Sequence, residues 1–228
     1  MYFDPYYFIL VIPAMLIALW AQIKVKSTFA RYNNVRLTSG MTGEQAARFI
    51  LDANGLHNVQ IRQISGELTD NFDPRTNVIS LSTSVYSQST PAAVGVAAHE
   101  TGHAVQYAVG YAPIKIRSAI LPITNIGSTL SWPMIFLGLI FSYGPLVTAG
   151  IILFSFVTLF QLATLPVEFN ASRRAELALE NSGMITTNEA QGVHSVLSAA
   201  ALTYVAALIV SIANLLRLVL LFGGRDKD

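Results

Sequence analysis

His99, Glu100 and His103 stand in the run His99-Glu100-Thr101-Gly102-His103, an HExxH pattern. Residues four apart on an α-helix share a face, so both imidazoles can bind one Zn²⁺, while Glu100 is turned toward a metal-activated water as its general base. The competing reading is a pair of buried histidines held by ordinary hydrogen bonds. The stretch from Pro91 to Val109 is otherwise rich in Ala, Val and Gly, and burying two histidines and a glutamate there is unfavourable without a metal to use them.

A catalytic zinc takes three protein ligands and keeps one position open. The chain contains no cysteine, which excludes thiolate ligands, a Cys nucleophile and disulfides. The candidates for the third ligand are Glu168, Glu176, Glu180, His57 and His194. Glu168 lies in Leu165-Pro166-Val167-Glu168-Phe169-Asn170-Ala171-Ser172-Arg173-Arg174, where it is expected to open a new helix just after an apolar run. A carboxylate at that apolar start needs a reason; a favourable contact with the positive end of the helix dipole is the one that needs no metal. Arg173 and Arg174 are expected to meet lipid head groups or carboxylates. Amide hydrolysis also requires a donor for the developing oxyanion. Tyr204 and His194 are the candidates, since both follow Glu168 on a helical stretch that can return to the metal. Tyr204 suits an interfacial belt equally well, and His194 a surface position or one behind the ligands.

The elements that must position these residues are legible in outline. Ser89-Thr90-Pro91 is an N-cap followed by Pro at the first helical position, and the motif helix is expected to run to Val109, where Gly110 stops it. It is expected to be buried in protein, with a re-entrant or intramembrane placement as the alternative. Thr42 and Gln45 form a capping-box pattern ahead of Ala46, Ala47, Phe49, Ile50 and Leu51, predicting a short helix that ends near Asn54-Gly55. Val59–Ile64, Leu68–Phe72 and Asn77–Val85 read as strands of a small antiparallel sheet, with Asp73-Pro74-Arg75 as a turn. In the last strand Ile79 and Leu81 alternate with Ser80, Ser82 and Ser84; this strand is a candidate to take a substrate main chain as an added strand, and an ordinary interior strand would show the same alternation.

Of the 228 residues 53% are hydrophobic and 12% charged, with a mean hydropathy of +0.50; soluble domains carry about 25% charged residues. A wholly soluble fold and a disordered chain are both excluded. Fourteen Lys and Arg against 13 Asp and Glu provide no clustered positive field, so a nucleic-acid partner is not expected. The first apolar run, Pro5 to Val25, follows Asp4, and Lys24, Lys26, Arg31 and Arg36 crowd at and after its end, which puts the N-terminus outside and the next segment in the cytoplasm. Further runs cover Ser118–Phe141, with Pro122 and Pro133, Leu146–Leu165, and Ala199–Phe222. Asn214 and Arg217 in the last run must face protein, water or the interface.

The expected fold class is a mainly α integral membrane protein with about four transmembrane helices and a small α+β zincin-like cytoplasmic catalytic domain. Residues 1–25 form the N-terminal anchor and 26–117 the cytoplasmic segment with the HExxH helix. Two spans occupy 118–165, cytoplasmic helices with the third zinc ligand 166–198, and the last span and tail 199–228. The protein is placed in the cell membrane, multi-pass, with its site toward the cytoplasm.

The pairing of His99 to His103 with Glu168 in an E-F-N-A-S stretch resembles the integral-membrane gluzincin proteases of the HtpX and CAAX-prenyl-protease type. More closely, the leading span, H-E-T-G-H-A, E-F-N-A-S-R-R-A and A-A-L-T-Y-V-A resemble the bacterial YugP-type neutral zinc metallopeptidases, over nearly the full length. The resemblance implies His99, His103 and Glu168 as zinc ligands and Glu100 as base, in a membrane-bound endopeptidase whose partners are the bilayer and membrane-associated protein or peptide substrates. Ser172 stands where the HtpX pattern has Asp, so Ser172 itself becomes the candidate to orient a ligand imidazole. The alternatives are a non-catalytic scaffold stabilised by a metal, and a site-2-type intramembrane metalloprotease. The latter needs an Asp from another span, yet no Asp occurs between Asp73 and Asp226.

Overall fold

The computed structural model describes residues 4–222. A π-helical turn, Tyr7–Val11, leads into α1 (Ile12–Asn33), followed by α2 (Gly43–Ala53), β1 (Gln60–Ile64), β2 (Asn71–Asp73), β3 (Val78–Ser82), α3 (Thr83–Tyr86), α4 (Pro91–Ala108), α5 (Ala112–Ile140), α6 (Gly144–Asn181) and α7 (Thr187–Phe222). Among the described residues four helices are long and apolar enough to cross a membrane: the first, from Tyr7 to Asn33, then α5, α6 and α7. The motif helix α4 is not among them. The chain divides into two compact units, one of Met1–Ala21, Ala112–Pro166 and Thr203–Asp228, the other of Gln22–Tyr111 and Val167–Leu202.

Within the first unit Ile135 of α5, Val147 and Phe154 of α6 and Leu218 of α7 form a buried core, and the Thr158 and Ser211 hydroxyls bond at 2.8 Å. A charge in an apolar helix must find a partner. Arg217 finds one in Asp4, donating from Nε to Oδ2 at 2.6 Å, with its guanidinium 5.2 Å from the Tyr7 ring centre. Asn214 turns its amide back onto the Val210 carbonyl. The Asp4–Arg217 pair joins the beginning of the first apolar helix to the last turns of the fourth.

Two helix boundaries differ from the expectation. Pro166 does not begin a new helix: α6 runs through it for 38 residues, about 57 Å at 1.5 Å per residue, well beyond a bilayer core of about 30 Å. An interior proline removes one backbone hydrogen bond and crowds the preceding turn. Tight packing of the turns on either side, with Thr164, Val167 and Ala171 buried, keeps the helix continuous. In the same way the segment carrying His194 and the last apolar run are one helix, α7.

The second unit holds the sheet, ordered β1-β3-β2. It is mixed rather than antiparallel: β1 pairs with β3 in parallel, from Gln60 opposite Val78 to Ile64 opposite Ser82, and β2 pairs with β3 antiparallel. β3 is therefore central and buried along its whole length, serines included: α2 and α4 pack against Ile79 and Leu81, while Ser80 Oγ accepts from Arg62 Nε and the Ser82 hydroxyl donates to Asp70. Its edges are engaged, one by β1 and the other by β2 and by Asp70, whose Oδ1 accepts the Ser82 N–H at 2.7 Å. The expectation that this strand takes a substrate main chain is overturned by that pairing.

Helix starts follow the local chemistry. Thr42 and Gln45 make both bonds of a capping box on α2, and Thr90 Oγ1 accepts the Ala93 N–H at the start of α4, with Pro91 in the first turn. Gly110 ends α4 at φ +64, a conformation that favours glycine. Glu189, in the first turn of α7, ties the loop after α1 to this unit: one carboxylate oxygen accepts from the Thr38 N–H and hydroxyl at 2.6 and 2.9 Å, the other from the Thr186 N–H and hydroxyl at the same distances. Glu189→Ala leaves all four donors without that partner, and the purified variant is expected to melt several degrees below wild type.

Candidate metal centre

α4 presents His99 and His103 on one face, and α6 lies against that face. The approach is as close as backbones allow, because Gly102 has no side chain: a Cβ there would stand 2.7 Å from the Ala171 carbonyl oxygen of α6. Val94 and Ala98 of α4 bury against Ala175 and Leu179 of α6, Ala46 and Ile50 of α2, and Val193 and Leu197 of α7. Ala97 and Ala104 bury against Ile79 and Leu81 of β3. The motif helix is thus held from several sides while its histidine face meets α6. Gly102→Ala is expected to force α4 and α6 apart and to destabilise the protein by about 1–3 kcal/mol, as overpacking does; melting temperature and zinc content measured together check it.

Across this contact the Glu168 carboxylate meets both imidazoles, with Oε2 3.2 Å from His99 Nε2 and 3.5 Å from His103 Nε2. One ligand atom from each of the three residues lies within 4.8 Å of the others. The rings stand edge to face, 4.8 Å between centres. Each has its other nitrogen engaged: His99 Nδ1 shares a hydrogen bond with Ser172 Oγ at 3.1 Å, and His103 Nδ1 with Gln106 Oε1 at 3.0 Å. Ser172 thus takes up the contact with the first imidazole that its place in the sequence suggested. Two imidazole nitrogens and one carboxylate oxygen are a donor set that fits zinc, and ligand histidines held through the distal nitrogen are the usual arrangement.

Glu100 is 9% exposed. Burial pushes its carboxyl above the ordinary range; the His103 and His99 imidazoles act in the opposite direction, and the negative charges of Glu168 and Asp70 add to the rise. Asp70, whose carboxylate also accepts from the Ser82 hydroxyl at 3.1 Å, is likewise pushed up by burial.

The other candidate ligands are elsewhere in this unit. His57 is exposed and bonded to Asp52 at 2.9 Å. Glu176 lies two turns beyond Glu168, about 12 Å along α6 and rotated by about 80°, where it pairs with His194 Nδ1 at 2.9 Å. His194 therefore has a surface position and a carboxylate partner rather than a place in the cluster; its side chain is 67% exposed. Glu180 is exposed. Arg174 Nε donates to the Asn170 amide oxygen at 2.8 Å, not to a carboxylate, and Arg173 is exposed. Tyr204 stands half-buried on α7, in the unit that contains Thr203–Asp228. Gln106 interrupts the apolar motif helix in the sequence, but the sequence assigns neither it nor Asn170 a role at the site. A glutamine three residues after the second histidine, on a helix otherwise apolar, was the available signal, since a buried amide needs partners.

Residues 7–223 match the protein family described as "putative neutral zinc metallopeptidase". The "putative membrane protease YugP" of Bacillus subtilis (strain 168) is 48% identical over 221 residues, covering 96% of this chain and 98% of that relative. No solved structure matches significantly. A match that spans the apolar helices as well as the histidine–glutamate cluster cannot come from the short motif alone: the chain belongs to this zinc metallopeptidase family.

Proposed function

We propose that the protein is a membrane-bound zinc endopeptidase of the gluzincin type, with His99, His103 and Glu168 holding the metal and Glu100 acting as general base. The observation that carries this reading is the convergence, within 4.8 Å, of the buried Glu168 carboxylate of α6 on the two imidazole nitrogens of α4, the helix that also bears Glu100. Zinc bound there supplies Lewis-acid polarisation of a scissile carbonyl and of water. The chain's own residues do the rest. Glu100 takes a proton from the attacking water and returns it to the leaving amine. Ser172 and Gln106 hold the two rings in orientation.

The charge pattern, with Lys24, Lys26, Arg31 and Arg36 after the first apolar run, supports a site on the cytoplasmic side of the cell membrane. Four apolar helices in the same chain support substrates that are membrane or membrane-associated proteins. A metal serving structure alone closes its fourth position and has no use for a base; Glu100 beside the cluster favours the enzyme over a scaffold. Protein purified in detergent is expected to contain one zinc per chain and to hydrolyse casein, with both lost on chelation and restored by added zinc. Wild type that binds no zinc would overturn the reading.

A further inference from the structure

His103 Nδ1 lies 3.0 Å from Gln106 Oε1, and the Gln106 side chain is fully buried. The other contacts of that amide decide which end faces the imidazole. Gln106 Nε2 stands 2.8 Å from the Val167 carbonyl oxygen and 3.0 Å from Asn170 Oδ1. A backbone carbonyl only accepts, so the amide nitrogen belongs on that side. Asn170 is oriented in turn by Arg174, whose Nε–H donates to the same Oδ1 at 2.8 Å, and a guanidinium only donates. Both amide hydrogens of Gln106 are therefore committed to α6, and its carbonyl oxygen faces His103.

The consequence for the imidazole is definite. Gln106 Oε1 can only accept, so His103 Nδ1 carries a hydrogen, and Nε2, 3.5 Å from Glu168 Oε2, is left as the nitrogen whose lone pair can serve a metal held with Glu168. His99 is held differently. Its Nδ1 meets a hydroxyl, Ser172 Oγ, which donates or accepts and so imposes no tautomer.

We propose that Gln106, anchored by the Val167 carbonyl and by an Arg174–Asn170 relay, is the positioning residue that fixes the tautomer and ring orientation of His103 for metal binding. The proposal rests on the zinc reading above and adds to it that α6 both supplies Glu168 and sets His103 through a relay of side chains.

The test uses the full chain in detergent, zinc-free and zinc-loaded, as wild type, Gln106→Met, Asn170→Asp and Asn170→Leu. Methionine matches the volume of Gln106 without an acceptor oxygen, while aspartate at 170 still accepts from Gln106 and Arg174. Histidine-selective ¹⁵N NMR of the zinc-free protein is expected to show a His103 Nδ1-bound hydrogen protected from solvent exchange in wild type and Asn170→Asp, and unprotected in Gln106→Met. Zinc affinity by chelator competition is expected to fall about 10–100-fold in Gln106→Met, the range for partners of metal ligands, and to stay near wild type in Asn170→Asp.

Wild-type affinity in Gln106→Met, or an unprotected His103 Nδ1 in wild type, overturns the proposal. So does an affinity loss matched by a collapse of the zinc-free melting temperature, which marks a merely structural role. If Gln106→Met fails to fold, Asn170→Leu, which removes one of the two acceptors of the Gln106 amide and leaves the Val167 carbonyl, is judged on the same two readouts, with weaker protection and a smaller affinity loss expected and wild-type values in both overturning the relay. A wild type with the protected Nδ1 hydrogen but no zinc binding sinks the metallopeptidase reading and leaves the tautomer lock standing.

Discussion

Glu100→Gln is expected to retain one zinc per chain and to lose casein hydrolysis by about 10²–10⁴-fold, the contribution of a positioned proton acceptor. The amide has the shape of the carboxylate, so the packing of α4 is kept, but it cannot take a proton from water. Glu100 is buried, and a neutral replacement there removes a charge rather than stranding one, so stability should hold or rise slightly. The split between metal content and activity is what identifies a base. If Glu100→Gln hydrolyses casein at the wild-type rate, Glu100 is not the base. An unchanged cellular phenotype in this variant would favour the scaffold alternative, and loss of zinc would mean that Glu100 helps hold the metal.

Glu168→Ala carries the other large effect. Removing the carboxylate takes away the one acceptor that both His99 Nε2 and His103 Nε2 approach and leaves two imidazole donors for a metal that needs three protein ligands. Zinc affinity is expected to fall by more than the roughly 100-fold that loss of an outer partner causes, and activity is expected to vanish with it. Glu176→Ala and His194→Ala are the controls, since those residues pair with each other at the surface; both are expected to keep zinc and activity. Full zinc occupancy in Glu168→Ala would overturn the ligand assignment, and loss of zinc in Glu176→Ala would place the metal elsewhere along α6.

These two expectations differ in how far the sequence alone reaches them. The pairing of His99 with His103, and the place of Glu100 beside them, follow from helical periodicity, a local property. So do the capping box at Thr42 and Gln45 and the Thr90-Pro91 start of α4. The four apolar helices are legible for a related reason: length and composition decide whether a helix suits a bilayer, and neither depends on what the helix packs against. The need for Arg217 to find a partner was equally local, though not that the partner would be Asp4.

Other features are set by contacts between segments far apart in the chain, and no local pattern specifies them. The alternation of Val78–Ser82 suits an edge or an interior strand, and only the pairing of β1 on one side and β2 on the other puts it at the centre of a mixed sheet. Pro166 reads as a boundary, yet packing on either side carries α6 through it.

By itself the sequence determined the motif, its helix, the absence of thiol chemistry and the membrane-spanning composition. The residues by themselves left Glu168, Glu176 and Glu180 open and the family resemblance pointed to Glu168, but only the tertiary structure brings that glutamate of α6 to the histidines. That meeting follows from the close approach of α4 and α6 at Gly102 and Ala171, which puts one turn of α6 over the motif and brings Ser172 to His99 and the Gln106 amide to His103. Glu176 and Glu180, identical in chemistry to Glu168, are carried past the site by the rise and rotation of the same helix.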